Sequence, residues 1–330
     1  MSTSKMNLSG VNISLIHGDA LRIKADTLVL KYAQAVYGLD REVVTKFERL
    51  GKPIANKLPD IGKSFLTDSY KITNTNSVMF LGVANLRNFQ YKEIREFGKS
   101  ALIALRDSDP SVKTVLMTIH GPGYGLDECE AFESQLGGIL ESINKGDIPR
   151  SLSEIIFVEQ SLGRVTRLRI VLESLFPISH NGKEIKQLDE ASSEVLNNAG
   201  DNSVYKKRVF VAMPFASEFD DCFHYGIQGA VKSCGYLCER ADLESFVGDV
   251  MEFVKERIQI ADLIIADLTT ANPNVYLEVG YAWGLNKKTV LLVKDTKELT
   301  FDTRGQRCLA YTTIKDLETK LTKELTNLKL

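Results

Sequence analysis

The sequence predicts a two-domain α/β protein in which each domain is a three-layer α/β/α unit. Three observations lead to this prediction. The chain has 330 residues, about twice the length of a common single domain. Short apolar runs alternate with amphipathic segments along most of the chain. A polar stretch at residues 177–206 interrupts this alternation and is too poor in large apolar residues to form a core. We therefore expect domains at residues 1–176 and 207–330, joined by this linker.

The first domain is expected to contain a mixed sheet. Apolar runs predict strands at residues 11–16, 27–30, 78–83, 114–119 and 154–159. Helical spacing of apolar residues predicts helices at residues 39–50, 91–106, 129–143 and 166–175.

The second domain is expected to contain a parallel, flavodoxin-like sheet. Predicted strands lie at residues 208–213, 236–239, 263–266 and 289–293, and predicted helices at residues 219–234, 249–260, 274–285 and 313–328. Continuous apolar strands separated by helices indicate a parallel sheet that is covered on both faces. Ligands of such sheets bind at the carboxyl ends of the strands.

The composition narrows the function classes. Lys and Arg number 41 and Asp and Glu 43, for a net charge of −2, which argues against a nucleic-acid binder that relies on bulk charge. No apolar run approaches the roughly 20 residues of a membrane span, and the start of the sequence lacks a signal peptide. The five cysteines have no CxxC spacing. We expect a cytoplasmic protein that requires no metal and no cofactor.

The most informative stretch is ADLIIADLTTANPNVYLEVGYAWG. Asn272 is suited to cap a helix that begins with Pro273. On that helix Glu278 shares one face with three apolar residues, Val275, Val279 and Ala282. A carboxylate on an apolar face requires a partner or a function. The functional interpretation makes Glu278 catalytic; the structural alternative is a Glu satisfied by a core Arg, Tyr or backbone amide.

Asp267 is the second candidate catalytic residue because it ends a buried strand. Polar and apolar side chains near the other strand ends and helix starts are candidates for substrate binding: Met213, Phe215, Ser217, Arg240, Asp242, Asp249 and Asn274. Simpler interpretations exist for several of them. Ser217 can cap a helix, Arg240 and Asp242 can form a surface ion pair, and Asp249 can sit at a helix start where the dipole favours negative charge.

These segments resemble a known family. MPFASEFDD, LCERAD, ADLTTANPNVYLEVGYAWG and FDTRGQR are similar to the nucleoside 2-deoxyribosyltransferase-like fold, especially the bacterial branch compared with TIR domains. The resemblance implies cleavage of an N-glycosidic bond. It implies that Glu278 is the nucleophile or stabilises an oxocarbenium-like sugar, and that Asp267 contacts the sugar or nucleobase. TIR-type enzymes use a comparable Glu to split NAD into nicotinamide and ADP-ribose.

The first domain has two glycine-bearing loops at predicted strand ends, HGDA at residues 17–20 and HGPGYG at residues 120–125. Such loops can present backbone N–H groups to a phosphate; the alternative is two tight turns. The loops resemble those of macro domains, which bind ADP-ribose. The resemblance implies a ligand site that contains Asp19, Ala20, Gly121, Gly123, Tyr124 and Gly125. An aminopeptidase-type domain of similar fold is a further alternative.

One segment departs from the macro-domain pattern. Where that family has an Asn-rich segment, this chain reads KYAQAVYGLD. The Asn residues linked to ADP-ribose hydrolysis are missing, so we expect binding without hydrolysis.

Together these features predict an NAD hydrolase that is regulated by an ADP-ribose-type signal. Bacterial antiphage defence effectors of the Thoeris-like type combine activities in this way, and they often assemble, so we expect a homo-oligomer. Two alternatives remain: a nucleoside or nucleotide deoxyribosyltransferase or N-hydrolase of nucleotide metabolism, and a nucleotide sensor without catalytic activity.

Overall fold

The computed structural model describes residues 5–8, 10–176, 188–241, 250–295, 308–328 and 330. Contacts divide the chain into two compact units. The first unit comprises Met1–Pro122 and Glu128–Val204, and the second comprises Gly123–Asp127 and Tyr205–Leu330. Each unit is built on one sheet with helices packed against it, so the predicted two-domain α/β class is confirmed.

The sheet of the first unit is mixed, as predicted. Its strands are β1 (Lys5–Leu8), β2 (Val11–His17), β3 (Ala25–Tyr32), β4 (Ser64–Asp68), β5 (Thr75–Gly82), β6 (Thr114–Thr118) and β7 (Glu154–Glu159). They lie in the order β1-β2-β7-β6-β3-β5-β4. The edge strands β1 and β4 pair antiparallel with their neighbours, and the inner pairs are parallel.

The helices of the first unit are α1 (Gly38–Arg49), α2 (Tyr91–Ser108), α3 (Glu128–Lys145), α4 (Leu162–Leu175) and α5 (Glu190–Asn198). Helices α2 and α3 approach closely because Gly98 and Gly138 face the backbone of the other helix. A Cβ atom at either position would collide with a backbone carbonyl, that of Gln135 or that of Arg95.

Helix α5 lies within the stretch that was predicted to be a linker. The Asp189 side chain caps it by accepting a hydrogen bond from the backbone N–H of Ser192 at 2.7 Å. The buried guanidinium of Arg95 donates to the carbonyls of Leu196 and Ala199 at 2.7 and 2.9 Å. Residues 188–204 therefore belong to the first unit, and the earlier part of the predicted linker, 177–187, lies outside the described residues.

The sheet of the second unit is parallel throughout, as predicted. Its strands are β8 (Arg208–Ala212), β9 (Leu237–Glu239), β10 (Leu263–Asp267), β11 (Lys288–Val293) and β12 (Cys308–Ala310). They lie in the order β9-β8-β10-β11-β12, which is the flavodoxin-like order 2-1-3-4-5. From β8 the chain runs first to one side of the sheet and then to the other. The crevice at such a reversal is the usual ligand site, and here it lies at the carboxyl ends of β8 and β10.

The helices of the second unit cover both faces of this sheet. They are α6 (Gln228–Ser233), α7 (Val250–Ile260), α8 (Pro273–Gly284) and α9 (Ile314–Leu328). Helix α9 contributes Leu317, Leu321 and Leu325 to the core at helical spacing. The second unit differs from prediction in two places: a π-helical turn at Cys222–Ile227 precedes α6 within one predicted helix, and β12 was not predicted. The edge strands β1 and β4 of the first unit were not predicted either.

Candidate active site

The loop between β10 and α8 carries backbone strain at the edge of the crevice. Thr270 and Ala271 have φ values of 67° and 49°, in the left-handed region that side chains other than glycine rarely adopt. Such strain costs roughly 1–3 kcal/mol per residue and is concentrated at functional sites. Immediately after it, the Asn272 side chain accepts a hydrogen bond from the backbone N–H of Asn274 at 2.9 Å, and Pro273 opens the helix. The predicted cap is confirmed.

Glu278 lies on α8, one and a half turns after this cap. Val275, Val279 and Ala282 are buried, as the apolar face predicted, and Glu278 itself is half-buried. Among the described residues it has no hydrogen-bond or ion-pair partner. Burial raises the pKa of its carboxyl group to about 7. Glu278 is therefore a carboxyl group with unused hydrogen-bonding capacity, and it is close to half-ionised at neutral pH.

Asp267 ends β10 and is completely buried, with 0% of its surface exposed. One carboxylate oxygen accepts hydrogen bonds from the backbone N–H and the hydroxyl of Thr269, at 3.0 and 2.6 Å. The other accepts from the Tyr311 hydroxyl at 2.8 Å, and the Cys222 thiol lies 3.9 Å away. Burial raises the pKa of Asp267, whereas these hydrogen bonds oppose that rise. Both oxygens are engaged by side chains and backbone of the second unit.

Sequence reasoning did not identify the groups that engage Asp267. Tyr311 follows β12, and its hydroxyl also lies 3.4 Å from the Thr269 hydroxyl and 3.4 Å from the Cys222 sulfur. The Thr269 hydroxyl in turn accepts the backbone N–H of Lys294 at 3.1 Å. This network joins the carboxyl ends of neighbouring strands. No local motif signals it, because its members are far apart in the chain.

Three of the predicted substrate-binding residues come together beside the crevice. The guanidinium of Arg240 lies 4.1 Å from the centre of the Phe223 ring and 6.0 Å from that of Phe215, both within the range of cation–π attraction. Arg240 also contacts the sulfur of Met213 at 3.9 Å and a carboxylate oxygen of Asp220 at 3.5 Å. Arg240 is buried, whereas Phe215 is 52% exposed. Phe215 thus presents an aromatic surface with a buried cation behind it.

The remaining predicted residues of the second unit are placed less distinctively. Ser217 is exposed and begins a short 3-10 helix without capping it. Asn274 is exposed, and its backbone N–H serves the Asn272 cap. Asp242 and Asp249 lie outside the described residues.

Half of the ligand site predicted for the N-terminal domain lies in the first unit. Asp19 closes a turn there: its carboxylate accepts the backbone N–H of Leu21 at 2.9 Å and lies 3.3 Å from the guanidinium of Arg22. Ala20 is buried. Gly121 has a φ of 111°, a conformation that requires glycine at this position.

The other half of that predicted site groups with the second unit. Its members are Gly123, Tyr124 and Gly125. The carbonyl of Tyr124 accepts from Arg257 at 3.4 Å, and the carboxylate of Asp127 accepts the backbone N–H of Cys238 at 3.0 Å. This grouping differs from the sequence-based assignment of the whole loop to residues 1–176.

The described residues contain neither a cluster of metal-binding side chains nor a membrane-spanning helix. Within the described ranges, no three His, Cys, Asp or Glu side chains are placed to hold a metal ion. Over the same residues, no helix is long and apolar enough to cross a lipid bilayer.

Comparisons with known proteins identify similar structures but no family. No family model matches the sequence, and no curated protein matches it. The N-terminal half is similar to macrodomain structures. The Oceanobacillus iheyensis macrodomain mutant D40A has a TM-score of 0.42 at 13% identity and covers 53% of this chain and 98% of its own. The Trypanosoma brucei macrodomain in complex with ADP has a TM-score of 0.39 at 13% identity, covering 48% of this chain and 68% of its own.

The Clostridium botulinum CMP N-glycosidase is also similar. It has a TM-score of 0.31 at 22% identity and covers 38% of this chain and 100% of its own. At TM-scores and sequence identities this low, the roles of residues in these proteins cannot be assigned to residues of this chain.

Proposed function

We propose that the second unit cleaves an N-glycosidic bond and that Glu278 is the carboxylate at the anomeric carbon. One observation carries this proposal: Glu278 is a half-buried carboxyl group without a partner among the described residues, on a helix that begins at the strained edge of the crevice. Positive charge develops on the anomeric carbon when the glycosidic bond breaks. A carboxylate in a poorly solvated site stabilises that charge strongly or attacks the carbon directly.

NAD is the substrate that this arrangement favours. When the bond between the ribose C1′ and the nicotinamide nitrogen breaks, its electron pair neutralises the pyridinium ring, so the leaving group needs no proton. Loss of an ordinary nucleobase is helped by an acid that protonates it. Asp267, the other sequence-predicted carboxyl group of the second unit that the structure describes, is fully buried with both oxygens engaged. The overall reaction is NAD plus water to nicotinamide, ADP-ribose and a proton.

The other residues have supporting roles in this proposal. Asp267 positions the strained loop through Thr269 rather than contacting the substrate. Phe215 offers a face for a ring of the substrate to stack on, and the buried Arg240 fixes that side of the crevice through Phe223.

The first unit is proposed to bind an ADP-ribose-type nucleotide that regulates the reaction. Its support is the pair of glycine-bearing loops after β2 and β6, one of which holds Gly121 in a conformation that requires glycine. A role in antiphage defence, as a TIR-like effector of the Thoeris-like type that acts as a homo-oligomer, follows from the sequence resemblance alone and belongs to the same proposal.

The proposal is tested by chromatography of the full chain incubated with NAD, with and without ADP-ribose. Release of nicotinamide by the native protein, and its loss in Glu278→Gln, are expected. The matched control is Glu318→Gln, which changes a Glu of α9 that pairs with Lys315 at the surface. No nicotinamide release under either condition, or equal release by Glu278→Gln, would overturn the NAD hydrolase proposal.

Two further incubations separate the alternatives. Release of cytosine from CMP would identify a nucleotide N-glycosidase, and exchange of bases between deoxynucleosides would identify a deoxyribosyltransferase. ADP-ribose binding without any bond cleavage would identify a sensor.

A further inference from the structure

Three ionisable side chains of the first unit lie near the carboxyl edge of its sheet. Lys31 is near the end of β3, and Asp40 lies in the first turn of α1, which follows that strand. His120 follows β6, which pairs in parallel with β3. Lys31 interacts electrostatically with both Asp40 and His120. None of the three was identified as a site residue from the sequence.

The polar atoms of this cluster are not satisfied by the described residues. Asp40 and His120 are 3% and 6% exposed. The Asp40 Oδ2 and His120 Nε2 atoms are buried and have no hydrogen-bond partner in the described part of the chain. Over the same residues, the Lys31 amine has neither a hydrogen bond nor an ion pair. A buried polar atom without a partner costs about 1–3 kcal/mol, so the unpartnered Asp40 and His120 atoms indicate a ligand that supplies the missing partners.

The surroundings favour the uncharged form of each group. His120 lies between aromatic rings, with its centre 4.5 Å from that of Phe97 and 6.0 Å from that of Phe89. Burial lowers the pKa of His120 and of Lys31, and burial raises the pKa of Asp40. Lys31 is nevertheless only half-buried. A lysine amine whose pKa is lowered by burial is the kind that forms Schiff bases with carbonyl compounds.

We propose that Lys31 is a covalent capture site for a sugar with a free anomeric carbon, with Asp40 and His120 as its acid–base neighbours. This inference deepens the proposed nucleotide-binding role of the first unit and rests on it. It specifies the ligand class: a nucleotide that ends in a reducing sugar. ADP-ribose belongs to this class because its terminal ribose opens to an aldehyde. ADP and NAD do not, because each of their anomeric carbons is bonded to a base nitrogen.

The chemistry needs no oxidant or reductant. The Lys31 nitrogen attacks the aldehyde carbon, the carbonyl oxygen takes a proton from the Asp40 carboxyl group, and His120 takes one from the nitrogen, which gives a carbinolamine. His120 returns its proton to the hydroxyl, which leaves as water when the nitrogen lone pair forms the C=N bond, and the Asp40 carboxylate takes the remaining N–H proton. The balance is amine plus aldehyde to imine plus water, and hydrolysis reverses it.

The experiment traps the imine on the full-length protein. The protein is incubated with ADP-ribose and cyanoborohydride, digested, and analysed by peptide mass spectrometry. The reduced adduct is expected on Lys31 at several times the level on the exposed Lys24, because burial lowers the pKa of Lys31 and so raises the uncharged fraction of its amine. Lys31→Arg should abolish the adduct, and Lys24→Arg should leave it unchanged. Excess ADP should suppress it by occupying the same site.

Absence of an adduct on Lys31, or labelling of Lys31 no greater than of Lys24, would overturn the proposal. Site mapping on the native protein decides this even if Lys31→Arg does not fold. Titration calorimetry with ADP tests nucleotide binding separately from the covalent step at Lys31. ADP binding without a Lys31 adduct overturns only the covalent site. Absence of both also overturns the nucleotide-binding role of the first unit.

Discussion

Glu278 and Asp267 flank the same strained loop, and they differ in what surrounds their oxygens. Burial raises the pKa of both carboxyl groups. Asp267 is fully buried and accepts hydrogen bonds on both oxygens, from Thr269 and from Tyr311. Glu278 is half-buried, and the described residues offer it no donor. Burial alone therefore does not distinguish a reactive carboxyl group from a structural one. The number of hydrogen-bond donors around the carboxyl group distinguishes the two. Donors hold a carboxylate in place and occupy the lone pairs that a substrate would need.

The largest expected effect is that of Glu278→Gln. It should lower kcat for NAD cleavage by at least about 10²–10³-fold, because the charge that opposes the developing cation is lost. The unfolding free energy at pH 8 should not decrease, since the ionised form of Glu278 is disfavoured by burial. Because the pKa of Glu278 is higher in the folded than in the unfolded protein, the unfolded chain loses the carboxyl proton at a lower pH than the folded protein does. The free energy of unfolding therefore decreases as pH rises from about 4.5 to about 7. A Glu278→Gln variant that is active, or that unfolds more easily at pH 8, would show that Glu278 is not the reactive carboxyl group of the pair.

The next largest effect is expected in the pH profile. With a pKa of about 7 for Glu278, the ionised fraction falls tenfold per pH unit below that value. We expect kcat/KM to fall about 100-fold between pH 8 and pH 5 if the ionised form acts. Initial rates of nicotinamide release, measured where the native protein stays folded, test this. An acid limb that begins only below about pH 5 would show that Glu278 is solvated like an ordinary surface carboxyl group.

Removing a donor to Asp267 is expected to affect stability. Tyr311→Phe deletes the hydroxyl that donates to Asp267 at 2.8 Å and leaves a buried carboxylate oxygen without that partner. The unfolding free energy in urea should decrease by about 1–3 kcal/mol. Tyr225→Phe is the matched control because Tyr225 is 53% exposed. A loss at Tyr311 no larger than at Tyr225 would indicate that the network around Asp267 has no structural role.

The smallest expected effect concerns the exposed aromatic ring. Phe215→Ala should raise KM by about 3- to 10-fold through lost stacking of roughly 0.5–1.5 kcal/mol. The unfolding free energy should change by less than about 0.5 kcal/mol because the residue is exposed. Phe215→Tyr retains the ring and should behave as the native protein. An unchanged KM in the Ala variant would remove Phe215 from the substrate side of the crevice.

Local patterns predicted the α/β class, most strands and helices, and the start of α8. They predicted the cap correctly because Asn272 and Pro273 act within one helical turn of their own positions. They also placed Glu278 on the face of Val275 and Val279, since helical spacing is a local property. The three-residue strand β12 was missed because so short a run carries little periodic signal.

Long-range partners were beyond local patterns. The oxygens of Asp267 accept hydrogen bonds from Thr269 and from Tyr311, which is 44 positions away, and no local pattern predicted the Tyr311 contact. The loop at residues 120–125 was assigned to one domain, whereas Gly123–Asp127 groups with the second unit. The partners of Asp267 depend on which strand ends lie side by side in the folded sheet.

The sequence by itself determined that two α/β units form and that Glu278 lies on a helix at a strand end, because apolar periodicity and capping act over a few residues. Only the tertiary structure decided which buried ionisable groups are satisfied. It surrounds Asp267 with donors, leaves Glu278 without one in the described chain, and places Lys31 and His120 near the ends of two neighbouring parallel strands. The physical reason is that a hydrogen bond requires two groups within about 3 Å, and the sheet order sets that distance for residues far apart in the chain.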